Sequence, residues 1–212
     1  MTINRIIAFI GYFIIIINAI LFLKSFSYHG KAFRVFSFYL LFETIILVTS
    51  SVCSIFHIPN LFFSHFYFIL QFIFLSLFYK NLAINSIQKD IVKFILYLVT
   101  TILIFQYFLQ PNLLKKFNLL EILFTSIPLI MYSIIHFYNI LSSNRSFFYI
   151  NTGVLFYLSG STLLFVAGNY IVSSSSILNK SIWIVNSGLF VIFQILIFIE
   201  WRKNYYKKTR RS

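Results

Sequence analysis

The sequence predicts an all-α, polytopic membrane protein: a bundle of seven transmembrane helices with its N-terminus outside and its C-terminus inside (N-out/C-in). Three observations lead there. Of 212 residues, 60% are hydrophobic and only 10% are charged, against about 25% charged in a typical soluble domain, and such a chain cannot cover a water-facing surface. The apolar residues gather into seven runs, each near the roughly 20 residues that a helix needs to cross a hydrocarbon core of about 30 Å. The basic residues sit in the gaps between runs, with a strong bias to alternate gaps.

The runs lie near 5–24, 35–56, 61–80, 91–110, 119–141, 147–171 and 181–201, and residues 1–212 are expected to form one domain. Helices are the economical choice, because each then satisfies its own backbone in lipid. Barrel strands would alternate apolar and polar over about ten residues, and these runs are continuous. In the first run, Arg5 precedes Ile6–Leu23, which exceeds a signal-peptide core, and Lys24–Tyr28 offers no small-residue cleavage site, so the helix is expected to be retained. Pro59-Asn60 separates the second run from the third, and Gln110-Pro111-Asn112 the fourth from the fifth. Pro128 lies inside the fifth and is expected to kink it. Asn144-Arg145 and Ser173–Ser176 bound the sixth. In the seventh, Trp183 and Trp201 are spaced by about 27 Å of helix, matching two membrane interfaces.

Orientation follows from the 17 basic residues. With the N-terminus outside, Arg5, Lys115, Lys116 and Lys180 are external and the other 13 internal, six of them in the tail 202–212. The formal charge of +13 therefore reads as orientation and as attraction to anionic lipid, not as a nucleic-acid-binding face. The lone Cys53 excludes an intramolecular disulfide.

Few residues point to chemistry. Glu43 is placed well inside the second helix, where an ionisable group is costly and commonly functional. It shares a face with Ser50, Ser51 and Ser54, and Gln71 and Gln194 are expected at nearly its depth. This intramembrane polar site, Glu43 with Gln71 and Gln194, reads as a proton or cation site, as a sensor's switch, or as helix glue. Glu121 and Glu200, near helix ends, are expected to be solvated or paired with Lys116 or Arg202. In the sixth helix Gly153, Gly160 and Ala167 recur every seven residues, a pattern that lets another helix approach closely. Asn151, Asn169 and, on the seventh helix, Asn186 join Gly153 and Gly160 as a helix-packing or ligand site, with Asn186-Ser187-Gly188 as the facing surface. His57, His65 and Cys53 lack paired metal-ligand spacing and a nearby carboxylate in sequence, so no metal is assigned. No nucleophile elbow, zinc-protease motif or P-loop is present, and no cofactor or enzymatic activity is expected.

The topology resembles the heptahelical sensor modules of bacterial signalling proteins, whose last helix feeds a kinase or cyclase domain. The resemblance covers the whole chain and rests on helix number and orientation. The chain ends eleven residues after Trp201, so such a sensor is expected to use a separate partner, a histidine kinase or another signalling protein, or to act as a homo-oligomer. The resemblance implies the bacterial cytoplasmic membrane as location and the lipid bilayer as solvent. The alternative is a small transporter or channel in which Glu43 carries a proton or cation. A lipid-modifying enzyme of the lysoplasmalogenase type would need a cluster of intramembrane acids and histidines, and none is visible in the sequence.

Overall fold

The computed structural model describes residues 3–142, 146–171 and 176–206, and every regular element among them is helical. Seven helices are long and apolar enough to cross a membrane. They are α1 (Ile3–Lys24), α2 (Lys31–Ile55), α3 (Phe62–Leu82), α4 (Ser86–Leu109), α5 (Leu119–Ser142), α6 (Phe148–Ile171) and α7 (Ser176–Glu200). Asn144-Arg145, Ser173–Ser175 and the tail beyond Tyr206 lie outside the described residues.

Helices α2 and α4 begin about a turn before their apolar runs. In α4 the cause is the cap: Asn85 Oδ1 accepts from the Gln88 N–H at 2.8 Å, and Gln88 Oε1 accepts from the Ile84 N–H at 3.2 Å. The polar turn Ser86–Asp90 is thereby helical although it is not apolar. The end of α2 is also set locally. The Ile58 N–H donates to Cys53 O and the His57 N–H to Ser54 O, the paired bonds of a Schellman stop. His57 takes the left-handed position (φ 57°) usually held by glycine, and Pro59 prevents continuation.

The helices carry large apolar side chains on their outer faces. On α4, Val92, Val99 and Leu103 are buried on one side, while Phe94, Tyr97, Ile104 and Phe108 are well exposed. That is the inverse of a soluble helix and suits an apolar solvent.

The chain divides into two compact units, Met1–Tyr28 with Ser133–Ser212, and His29–Tyr132. The second division falls within α5, about one turn after Pro128, through which the helix runs without a break. In the first unit α7 packs against both α6 and α1. A methyl group at Gly153 would come within 2.5 Å of the Phe193 ring, one at Gly160 within 2.6 Å of Leu189, and one at Gly11 within 2.6 Å of Phe190. These glycines are what allow the helices to approach so closely.

At the end of α7, a π turn (Trp201–Tyr205) continues the helix. Trp201 is not a lipid-facing anchor: it is buried, and its indole N–H donates to Ser25 Oγ at 3.1 Å. Glu200, also buried, accepts from the Tyr149 N–H at 2.8 Å and from Asn204 at 2.6 Å. It caps the start of α6, where free N–H groups favour a carboxylate. Lys203 donates to the Tyr149 hydroxyl at 2.5 Å. The expectation of a solvated Glu200 is corrected by this cap.

In the second unit α2 and α3 form the main pair and α4 lies on α3. Phe36 and Phe78 meet at 5.2 Å, and Phe42 stacks on Phe74 at 5.2 Å. At the turn joining α2 and α3, Asn60 Nδ2 donates to the Ser50 carbonyl at 3.0 Å and to its hydroxyl at 3.2 Å, so Ser50 serves the loop.

Candidate functional site

Three helix ends of the second unit meet in one place. His65 lies in the first turn of α3, Tyr107 in the last turn of α4 and Glu121 in the first turn of α5. Asn118, just before α5, caps it: its Oδ1 accepts from the Glu121 N–H at 3.3 Å. Asn118-Leu-Leu-Glu121 has the spacing of a capping box, in which the acidic residue would return to the cap's own N–H. Here the Glu121 carboxylate turns instead towards α3 and α4.

Its Oε2 is the centre of the cluster. The Tyr107 hydroxyl donates to it at 2.6 Å, and His65 Nδ1 lies 2.6 Å away. His65 Nδ1 and the Tyr107 oxygen are 2.9 Å apart, and Asn118 Nδ2 donates to that oxygen at 3.3 Å. His65 is 2% exposed and Glu121 1%, so bulk water does not weaken these contacts. Two polar atoms are left over. His65 Nε2 and Glu121 Oε1 are buried with no hydrogen-bond partner, a costly arrangement unless something else completes it.

A cavity of about 410 Å³ adjoins the cluster. Ile69 and Ile73 of α3 and Leu103 and Ile104 of α4 line it, and His65 and Tyr107 form part of its wall. Its size lies within the range of small-molecule sites, which are characteristically apolar with a few placed polar groups. Among the described residues no three His, Cys, Asp or Glu side chains converge as a metal site would require. Cys53 is a free, half-buried thiol and His57 is exposed.

The residues singled out from the sequence are distributed differently from expectation. Glu43 is 1% exposed; the Tyr67 hydroxyl is its hydrogen-bonding neighbour, although neither carboxyl oxygen makes a well-formed bond. Gln71 does not bond to it: Gln71 Nε2 is 3.4 Å from both the Tyr39 and the Tyr67 hydroxyls. Gln194 belongs to the first unit and accepts from Asn18 Nδ2, at 2.9 Å through its backbone and 3.1 Å through its side chain. Depth along a helix was the only basis for joining the three: Glu43 and Gln71 share the Tyr67 hydroxyl as a neighbour, whereas Gln194 bonds within the first unit.

On α6, Asn151 is fully buried and bonds to Ser133 of α5: Ser133 Oγ donates to Asn151 Oδ1 at 2.9 Å, and Asn151 Nδ2 donates to Ser133 O at 3.1 Å. Gly153 and Gly160 face Phe193 and Leu189 of α7, as close helix packing requires. The facing surface is Ile182, Leu189 and Phe193, with Asn186 on the same face of α7 and its Oδ1 buried, while Ser187 and Gly188 lie off it. A methyl group at Gly188 would touch nothing, Ser187 Oγ donates to its own helix at Trp183 O, and Asn169 is exposed. Gly153 and Gly160 therefore belong to a packing seam, the helix-packing half of the expectation, and Asn151 to a separate polar bond.

Sequence reasoning missed His65, Tyr107, Asn118 and Glu121 as a group, reading Glu121 as a solvated helix end. The Asn118–Glu121 capping spacing was the one local signal. It fixes where α5 begins, and with antiparallel neighbours it places the end of α4 and the starts of α3 and α5 on the same side. The chain matches no known protein-family model, no curated protein and no solved structure.

Proposed function

We propose that this chain is a multi-pass protein of the bacterial cytoplasmic membrane, N-out/C-in, that senses a small, mostly apolar molecule and passes the signal to a separate cytoplasmic protein such as a histidine kinase. One observation carries the reading: an apolar cavity of about 410 Å³ adjoins a buried, incompletely bonded His65–Glu121–Tyr107 cluster. Occupying that cavity changes the contact between α3 and α4. The basic inner segments support the orientation, and the exposed apolar faces support the bilayer as solvent. In that orientation the cavity lies in the outer half of the membrane. The test is purification of the tagged protein in mild detergent, with co-purifying proteins identified by mass spectrometry. A near-stoichiometric kinase or other signalling protein is expected; recovery of the chain alone counts against sensing.

A second reading rests on Glu43, whose carboxyl group is buried within α2 beside the Tyr67 hydroxyl and has no ion-pair partner among the described residues. Such groups in membrane segments commonly mark proton or ion handling. Flux of protons or Na⁺ into liposomes, abolished by Glu43→Gln, is its expected signature, and equal flux for both proteins removes it.

A further inference from the structure

The wall of the α3–α4 cavity shows almost no polar surface, although three polar residues belong to it. Thr100 Oγ1 donates to Leu96 O at 2.6 Å and the Tyr107 hydroxyl donates to Glu121. His65 turns Nδ1 to the same carboxyl group, and its Nε2 is enclosed. What meets an occupant is carbon, chiefly Ile69, Ile73, Leu103 and Ile104. A polar molecule would leave its hydrogen bonds to water and find none here, whereas an alkyl chain has none to leave.

The cavity is long. Phe66 to Ile73 on α3 and Thr100 to Tyr107 on α4 each cover seven residue steps, about 10 Å of helix. That is about two thirds of one leaflet of a hydrocarbon core near 30 Å thick. Phe66 and Ile104 belong to the wall and are also exposed, so the cavity opens onto the apolar outer face of the two helices. Leu114, in the 3₁₀ turn Pro111–Lys115 that follows α4 and packs on α3, lines it as well. Lys115 and Lys116 come next; both are exposed, and neither has an acidic partner among the described residues. Glu121, the nearest acidic residue in sequence, is buried.

We infer that the cavity takes one acyl chain of an anionic phospholipid from the surrounding bilayer, with the phosphate at Lys115 and Lys116. This names the ligand class of the receptor reading and rests on it. Paired basic residues beside a hydrocarbon core attract anionic lipid, and the long lysine stem lets the ammonium reach the interface. Occupancy then follows the anionic-lipid content of the leaflet. A chain lodged between α3 and α4 favours the arrangement that holds the two helices apart, which is the differential contact a receptor needs.

The test places the full chain in phosphatidylcholine nanodiscs with one of two minor components, phosphatidylglycerol or phosphatidylcholine, each carrying a diazirine on the same acyl chain. Labelled residues are mapped by mass spectrometry, with Phe13 of α1, exposed in the other unit, as the reference for ordinary lipid contact. Relative to Phe13, the phosphatidylglycerol probe is expected to label Ile69, Ile73, Leu103 and Ile104 about tenfold more than the phosphatidylcholine probe, the order of effect that two lysines at a membrane surface give. In the double variant Lys115→Gln, Lys116→Gln that preference disappears while phosphatidylcholine labelling is unchanged. Equal cavity labelling by the two lipids, or a preference that survives the double variant, overturns the inference. Displacement of the probe by palmitate at lower concentration than by phosphatidylglycerol assigns the site to a free fatty acid and overturns it too. Decane carrying a diazirine separates the two readings: if it labels the cavity where no lipid preference exists, the receptor reading stands with a ligand that has no head. If neither decane nor lipid labels the cavity, both fall.

Discussion

The two units treat their buried carboxyl groups differently. In the first, Glu200 has both oxygens bonded, one to the start of α6 and one to Asn204. In the second, Glu121 has one oxygen bonded and one free, and Glu43 lies beside the Tyr67 hydroxyl without a well-formed bond. A fully bonded carboxyl group holds helices in one arrangement, whereas an incomplete one leaves an interaction for something that arrives. The first unit thus reads as a closed joint and the second as an open one.

That contrast can be broken at several points. The largest effect is expected at the α6–α7 seam. Gly153→Leu forces Phe193 away and should cost about 3 kcal/mol, whereas Gly188→Ala, which meets nothing, should cost nothing. Thermal unfolding followed by Trp fluorescence reads this, since Trp183 and Trp201 both lie in the first unit; equal melting of the two variants would sink the packing account.

Next, Glu121→Ala removes the centre of the His65–Tyr107 cluster and should lower stability by about 2 kcal/mol. Earlier thermal exposure of the Cys53 thiol to a maleimide dye in that variant reports on the second unit, and an unchanged profile would mean that the cluster is not formed. Glu200→Gln keeps the shape but turns one acceptor into a donor facing N–H groups, at a cost of about 1 kcal/mol. Loss of Trp fluorescence at lower temperature checks it. The smallest change, and the sharpest contrast, is Glu43→Leu. A buried carboxyl group held only by a loose contact with the Tyr67 hydroxyl contributes little that a leucine lacks, so stability should be little changed. If Glu43→Leu unfolds as readily as Glu121→Ala, Glu43 is a joint after all and the comparison fails.

The architecture was legible because apolar run length and charge gaps are properties of contiguous sequence. Helix starts were less so: Ser86–Asp90 is helical through its Asn85 cap, not through hydrophobicity. The small-residue row at Gly153 and Gly160 announced a close neighbour, but not which face of α7 it would meet. Leu189 and Phe193 fill the space that the glycines leave. The His65–Glu121 pair was not legible at all. Its members are 56 positions apart, and each alone resembles a residue at a membrane interface. Only the meeting of three helix ends turns them into a cluster.

The long reach from α1 to α7 has a consequence for how the protein is made. Asn18 and Gln194, like Ser25 and Trp201, are 176 residues apart in the chain. At a synthesis rate of about 5–20 residues per second, roughly 10–35 s separate the appearance of α1 from that of its partner. During that interval Asn18 and Gly11 face lipid, chaperone or translocase. The second unit, by contrast, is contiguous in sequence and can pack as it emerges. Biogenesis therefore has a built-in order: the region that carries the cavity is free to form early, while α1 waits for α7 before its own unit can close.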